Sequence, residues 1–321
     1  MKQYIAKRLF VSIFVLFGIS VMMYGICRSV PGDYVTSITS GNPNVTPEMQ
    51  ERMREVYGLN KGPVEGYISW VSDALRGDFG TSFVYQKPVL EIIGKYMGPT
   101  VALSSIAFLI EFIIAIPLGI WAARRQYSLT DYTIVAGCIF CSSLPSFFFA
   151  AVLKRVFAIG LGVLPISGMI TARANYTGIM HILDMGKHFI LPITVFVLTG
   201  VGVRMRYVRT NMLEVLNADY VRTARAKGLP EKKVIGKHAF RNTLIPIVTM
   251  IGGIIPALFS GAVITENLFG IEGLGKIALE AVNQGDIPYL MGFNMFIAIM
   301  SLVGTLVSDI LYAVVDPRVK Y

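Results

Sequence analysis

Charge, histidine and cysteine are all scarce in this chain, and each scarcity removes a class of protein. Only 15% of the 321 residues are Asp, Glu, Lys or Arg, where a soluble domain has about a quarter, so an ordinary water-soluble globule is excluded. The three cysteines, Cys27, Cys138 and Cys141, all lie inside apolar stretches. An odd number so placed argues against a disulfide framework. Cys138 and Cys141 stand one helical turn apart and read as small packing residues rather than a redox or metal pair. No G-x-S-x-G, H-E-x-x-H or P-loop occurs, so no catalytic set is expected, and any ATP that drives this protein is hydrolysed by a separate chain. Internal repeats and low-complexity segments are missing too.

What the chain has instead is apolar length. Hydrophobic residues make up 54% and mean hydropathy is +0.61. Runs near twenty residues, the length that spans a bilayer, cover 9–27, 100–123, 132–158, 189–203, 244–265 and 290–314. The expected fold class is therefore an all-α membrane protein with six transmembrane helices. The first run follows Lys2, Lys7 and Arg8 but is 19 residues long and lacks a small-x-small cleavage site. It is expected to be an uncleaved membrane helix. The net charge of +9 does not point to nucleic acid, because the basic residues collect in alternate short loops. One side holds Arg124 and Arg125, ten between Arg204 and Arg241, and Arg318 with Lys320. The other holds Arg173, Lys187 and Lys276. By the positive-inside rule both termini are cytoplasmic.

The expected organisation is a first membrane helix (1–29), an extracytoplasmic cap (30–98), a five-helix core (99–314) and a short tail (315–321). Within the cap, Pro31-Gly32, Gly41-Asn42-Pro43 and Gly62-Pro63 punctuate the chain. Thr46-Pro47-Glu48 reads as an N-cap, a first-turn proline and a dipole-complementing acid, predicting a helix to Tyr57 that ends at Gly58. A second helix over 64–75 presents Tyr67, Trp70, Val71 and Leu75 on one face.

Residues 216–246 form a basic segment between two spans. Asn217 is the expected N-cap of a short helix with Asp219 in its first turn, and Gly228-Leu229-Pro230 is its stop signal. Leu216, Tyr220, Val221 and Ala224 fall on one side, and Arg222, Arg225 and Lys227 elsewhere. Such a segment is either a topology-setting loop against lipid headgroups or a docking helix for a cytoplasmic protein. The preceding apolar run, 189–203, reaches only about 22 Å, short of the ~30 Å hydrocarbon core. Arg204, Arg206 and Arg209 continue it in helix-compatible sequence, which predicts a stalk that carries the docking element.

Other residues stand out against the apolar background. Glu111, expected at the midpoint of the second span, costs roughly 2.5–3.5 kcal/mol to insert and should face a pathway or a neighbouring helix. Pro246, Gly252, Gly253, Pro256 and Gly261 interrupt the fifth span, as in a pathway-lining helix or a kinked packing helix. Asp309 could bond a neighbouring helix or face the cytoplasmic mouth. Lys154 and Arg155 are expected at the outer interface, away from Glu111. His181, Asp184 and His188 have helical spacing, but in an exposed loop they read as polar surface before they read as a metal site.

Taken together these motifs resemble permease subunits of binding-protein-dependent ABC importers, in the branch serving dipeptides, oligopeptides and nickel. The likeness spans nearly the whole chain. Pro31-Gly32-Asp33, Tyr57-Gly58-Leu59-Asn60-Lys61 and Arg76-Gly77-Asp78-Phe79-Gly80 resemble the family's opening and cap. Ser143-Leu144-Pro145-Ser146-Phe147 and Leu161-Gly162-Val163-Leu164-Pro165 resemble its third span and the turn after it. Asp219, Tyr220, Val221, Arg222, Thr223, Ala224, Arg225, Ala226, Lys227, Gly228 and Leu229 form the most specific match, to the loop that contacts the ATPases. Arg241-Asn242, Leu244-Ile245-Pro246, Glu266, Phe269, Gly273-Leu274-Gly275, Asp309, Tyr312 and Asp316-Pro317-Arg318 follow in order. The departures are Arg222-Thr223-Ala224 in place of Glu-Ala-Ala, Lys154-Arg155 at an apolar position, and Glu272 in place of proline.

The resemblance implies a type I importer fold in a bacterial cytoplasmic membrane, with a coupling helix near 217–230. Implied partners are a second homologous permease, two cytoplasmic ATPase subunits, an extracytoplasmic solute-binding protein and membrane lipid, but no nucleic acid. ATP and magnesium would belong to the ATPases; this chain would bind no cofactor or metal and would not be an enzyme. The expected cargo is a short peptide. Nickel or another small solute is the alternative within the branch, and ion-coupled secondary transport through Glu111 the alternative outside it.

Overall fold

A computed structural model describes residues 2–29, 34–39, 45–57, 59–174 and 176–315. Pro31-Gly32-Asp33, Gly41-Asn42-Pro43, Gly58, and Asp316-Pro317-Arg318 with Lys320 lie outside them. Among the described residues every named element is helical, and the β pairing is a single bridge between Thr81 and Pro88. Four helices are long and apolar enough to cross a membrane, and six spans result if each of two bent helix pairs counts as one.

The first span helix is Lys2–Ser29. The cap contains Tyr34–Thr39, Pro47–Val56 and Pro63–Ala74. Thr46 caps the second of these, its hydroxyl accepting from Met49 N at 3.3 Å, with Pro47 in the first turn where a missing N–H costs nothing. Tyr57 packs edge to face on Tyr34 and Phe83, which meet each other at a tilt, with ring centroids 5.0–5.2 Å apart. They tie the cap to the loop that leads into the core.

The second span helix, Val89–Arg124, begins well before residue 100, so Glu111 stands 22 residues from its start and 13 from its end rather than at its midpoint. The stalk helix, Ile179–Leu216, is 38 residues long and runs unbroken through Arg204, Arg206 and Arg209. It also starts earlier than the apolar run, so His181, Asp184 and His188 lie on a helix and not in an exposed loop. Asp184 and His188 are buried.

The expected third span, 132–158, is not one helix. Leu129–Ser143 and Ser146–Gly160 meet at 94°. Pro145 supplies the reason: it cannot donate to the preceding turn, and it forces Leu144 into extended backbone (φ −87°, ψ 139°). Lys154 therefore does not lie at the far end of a straight rod. Its Nζ donates to Leu268 O at 2.7 Å and sits 5.2 Å above the Phe269 ring. The fifth span also stops short of the expected 265. Arg241–Ser260 ends where Gly261 turns to φ +76°, and Thr265 belongs to the separate helix Val263–Phe269. Leu274–Gln284 and the last span, Ile287–Val315, complete the chain.

The second span and the stalk run parallel and form the spine, with buried clusters stacked along them. Nearest the cap, Val89, Ile92 and Ile93 meet Leu274, Ile277, Tyr289 and Phe293. Next come Leu103 with Phe189, Leu191 and Val195, then Ala115 with Cys138, Val201 and Met205. Farthest from the cap, Ala123 and Met212 join the chain that follows the stalk. Cys138 is a packing residue here, its carbonyl lying against Gly202.

Asp286 joins the cap side to the last span. Fully buried, it accepts from Ser82 Oγ at 2.5 Å, Phe83 N at 3.1 Å, Val84 N at 3.2 Å and Tyr289 N at 3.3 Å. Beside it Tyr85 Oη donates to Glu280 at 2.6 Å. Burial and that carboxylate push the phenol well above its usual pKa, so it remains a donor throughout the physiological range.

Asp286→Ala leaves four donors without their acceptor, and hydrogen bonds to charged groups contribute about 1.5–3 kcal/mol each. The variant should lower the thermal midpoint of the purified protein and open the 76–87 segment to trypsin. Glu91→Gln removes only the exposed Lys87 pair and should change stability by less than about 1 kcal/mol.

Candidate coupling and pathway site

The site begins at the end of the stalk. Asn217 is not an N-cap: its backbone is nearly helical (φ −89°, ψ −7°) and its Nδ2 donates back to Leu213 O at 3.0 Å, so it closes the stalk. The short helix after the stalk is Asp219–Ala226, preceded by Ala218 in extended conformation with no side-chain cap. Its stop follows the sequence signal. Gly228 adopts φ +74°, its N–H bonds Arg225 O at 2.9 Å, and Leu229 N reaches Ala224 O at 3.4 Å.

This short helix has two faces of opposite character. Val221 and Ala224 are buried with Met212, Ala123, Val234, Ile235 and Ala239, and Leu229 packs on the same cluster. Tyr220 is not on that face; it is 46% exposed. With it, Asp219, Arg222, Thr223, Arg225, Ala226, Lys227 and Gly228 face outward. Arg225 pairs with Glu231 at 2.9 Å, and Arg222 stands 3.8 Å from Asp219. The helix is thus glued by three small apolar contacts to the ends of both spine helices and offers a polar surface away from them.

Two ion pairs hold the stalk to its neighbours. Arg209 binds Asp131 through Nε at 2.7 Å and Nη2 at 2.6 Å, fastening the start of the third span. Five residues earlier, Arg204 Nη1 lies 2.5 Å from Glu111 Oε2, the Glu111 side chain being 1% exposed and that of Arg204 15%. Arg204 also lies 4.7 Å above the Phe108 ring and 5.7 Å from that of Phe112, and donates to Gly200 O. The sequence places Arg204 at the start of the expected stalk, among the cytoplasmic basic residues. Its pairing with Glu111, 93 positions away, was signalled only by the need of a membrane carboxylate for a partner.

A cavity of about 400 Å³ lies beside this pair, with Phe108 in its wall. Three helix ends from two chain breaks meet at it: Ser146 after the third-span bend, Ser260 at the end of the fifth span, and Val263 at the start of the next helix. Phe196 and Thr199 of the stalk and Gly261 at the turn also line it. Glu266 stiffens the adjoining wall. Buried to 0%, it accepts from Thr100 Oγ1 at 2.8 Å, Lys276 N at 3.0 Å and Ala262 N at 3.3 Å.

Of the interruptions expected in the fifth span, Gly261 lines this cavity; the remaining sequence candidates do not. Gly252 faces the last span so closely that a Cβ would stand 2.5 Å from Ser308 Cβ and 2.7 Å from Gly304 O. Pro256 Cδ lies 3.0 Å from a Cβ built on Gly304, while one on Gly253 meets nothing within 4 Å. Asp309 pairs with Arg8 at 3.2 Å, joining the last span to the first. Asp184 accepts from Thr171 N and Oγ1, both at 2.6 Å. His188 Nδ1 contacts Asp184 O at 2.8 Å, and among the described residues no three His, Cys, Asp or Glu converge as a metal site.

Residues 115–321 match the family described as the binding-protein-dependent transport system inner membrane component. An oligopeptide transport system permease protein of Bacillus subtilis is 37% identical over all of both chains. A dipeptide transport system permease protein of Escherichia coli is 32% identical over 100% of this chain and 99% of its own. A putative peptide permease protein of Brucella ovis is 32% identical with the same coverage. The chain belongs to the family of binding-protein-dependent transport system inner membrane components, and is a multi-pass membrane protein with the type I permease fold.

Arg204→Leu leaves Glu111 buried without its cation and should cost about 3–5 kcal/mol, whereas the double variant Glu111→Leu/Arg204→Leu should recover most of that loss. Thermal unfolding of the four proteins of this cycle in detergent measures it. A double variant whose loss equals the sum of the two single losses would show that the two side chains act independently.

Proposed function

We propose, taking that membership as premise, that this chain is a permease subunit of an ABC importer for dipeptides and oligopeptides. It forms half of the translocation pathway together with a second, homologous permease. Two cytoplasmic ATPase subunits bind and hydrolyse ATP with magnesium, and an extracytoplasmic solute-binding protein delivers cargo to the cap side. Both termini lie in the cytoplasm. The peptide reading rests on the names of the full-length relatives.

The observation that carries the coupling role is the two-faced docking helix at the tip of a 38-residue stalk. Asp219, Tyr220, Arg222, Thr223, Arg225, Ala226, Lys227 and Gly228 make the contact with an ATPase, while Val221, Ala224 and Leu229 hold the helix to the spine. Arg222 stands where an acid is expected in importers at large, so the cognate ATPase presents acceptors there. Closure of the ATPases moves the docking helix, the stalk moves with it, and the cavity beside Phe108 and Ser260 changes access. Glu111 acts here as an inter-helix anchor for Arg204, Asp309 as an anchor for Arg8, and Gly252, Gly253 and Pro256 as the surface on which the fifth span meets the last.

A cysteine at Arg222 should crosslink to an ATPase subunit in membranes. Gly228→Pro replaces a φ of +74° by one near −65°; it should abolish uptake of a dipeptide by an auxotroph while the protein still reaches the membrane. Crosslinking to no ATPase, with normal uptake by the Gly228→Pro variant, would refute the coupling role. A strain lacking the transporter should lose growth on the dipeptide and keep nickel-dependent growth; the reverse pattern would move the cargo to nickel.

A further inference from the structure

We propose that a groove along the first span holds one phospholipid with a zwitterionic, amine-bearing headgroup, as a bound structural lipid on the cap side of the membrane. Two adjoining cavities form the groove, sharing Trp70 and Phe79 in their walls. The one farther from the cap, about 370 Å³, is lined by Ile13, Phe17, Val71, Ala74, Met295 and Ile299 among others, and is almost wholly carbon. The one within the cap, about 240 Å³, is lined by Tyr24, Arg28, Lys61, Ser69 and Asp73.

The arrangement matches a phospholipid in length, polarity and charge. Along the first helix, Ile13 to Arg28 is 15 residues, or about 22 Å, and one leaflet of a 40–45 Å bilayer is about as thick. Acyl chain fits the carbon-lined half. Phosphate fits the half with Arg28 and Lys61, and the carboxylate of Asp73 in the same wall offers a counterion for an ammonium group. A phosphatidylethanolamine carries both charges; an anionic lipid would leave Asp73 opposing it.

Trp70 adds an independent reason. It stands at the seam, where an amphipathic ring is favoured at a membrane interface. Its Nε1 is buried and has no acceptor among the described residues, and an orphaned buried donor is costly. The ester carbonyls of a phospholipid lie between headgroup and acyl chain, at the level of that N–H.

Arg28 is preset for the role. It donates to Leu59 O at 3.0 Å and to Lys61 O, so its guanidinium is fixed against the cap loop and carries its charge beside the cavity. The groove runs between the first span, the cap helix Pro63–Ala74 and the last span. A lipid there would fill the space that these three elements leave between them.

The test is native mass spectrometry of the purified transporter after reconstitution in vesicles of equal phosphatidylethanolamine and phosphatidylglycerol, then graded delipidation. One phosphatidylethanolamine should remain after the bulk lipid is lost. Ala74→Phe should lower its retention about tenfold, since the ring displaces roughly two buried methylenes. Asp73→Asn, at an exposed position, should keep lipid binding but abolish the preference for phosphatidylethanolamine. Retention of no lipid by the unaltered protein, or equal retention and preference in both variants, overturns the proposal. So does a disulfide from a cysteine at Ile299 to a second permease in membranes, which would make the groove a protein interface.

Discussion

The spine of this molecule depends on a charge that has no business in hydrocarbon. Glu111 is almost completely buried inside the second span, and among the described residues only the guanidinium of Arg204 compensates it. In a low-dielectric interior an unpaired carboxylate costs far more than the pair gains in water. The contact therefore sets how the second span and the stalk may lie against each other. Register follows from it: Ala115 meets Val201 and Met205 on the cap side of Arg209, and Ala123 meets Met212 beyond it. The Asp131–Arg209 pair repeats the arrangement one step further along. A helix of this length with two such clamps has little freedom to slide or to turn about its axis.

Away from the spine, the fold is a set of interruptions. Pro145 turns the third span through a right angle and Gly261 ends the fifth. In lipid each break would expose backbone donors and acceptors that only protein or water can satisfy. The breaks gather around one cavity, so the polar ends of three helices share a wall instead of facing acyl chains. Glu266 answers the same demand nearby, using two backbone N–H groups and Thr100.

Local signals in the sequence were legible where the physics is local. Thr46-Pro47-Glu48 and Gly228-Leu229-Pro230 each encode a helix end within four residues, and both ends occur where those residues stand. The six apolar segments likewise follow from composition. Asn217 shows the limit of that reading, because the same side chain can open one helix or close another, and here it bonds back to Leu213. Arg204 was harder still. On a charge count it belongs with the cytoplasmic basic residues, and only the fold brings it to Glu111. Asp286 was equally hidden, and Glu266 stood out only through the resemblance: the burial of both depends on loops from distant parts of the chain. Ser143-Leu144-Pro145 did carry a visible signal for a break, and a reading by apolar length alone passed over it.

One consequence concerns the close approach of Gly252 to Gly304. Two backbones in contact leave no side chains between them to yield, so the fifth and last spans meet as hard surfaces. Any displacement at the Leu216 end of the stalk would have a stiff route along it and a second rigid plate beside it, with the compliance confined to the cavity between. A 38-residue helix is about 57 Å long. Tilting it by about 5° about Arg204, which lies nearer the Leu216 end, would carry the Ile179 end through roughly 3 Å and the Leu216 end through roughly 1.5 Å. The geometry is that of an oar in a rowlock, and the rowlock is the Glu111–Arg204 pair.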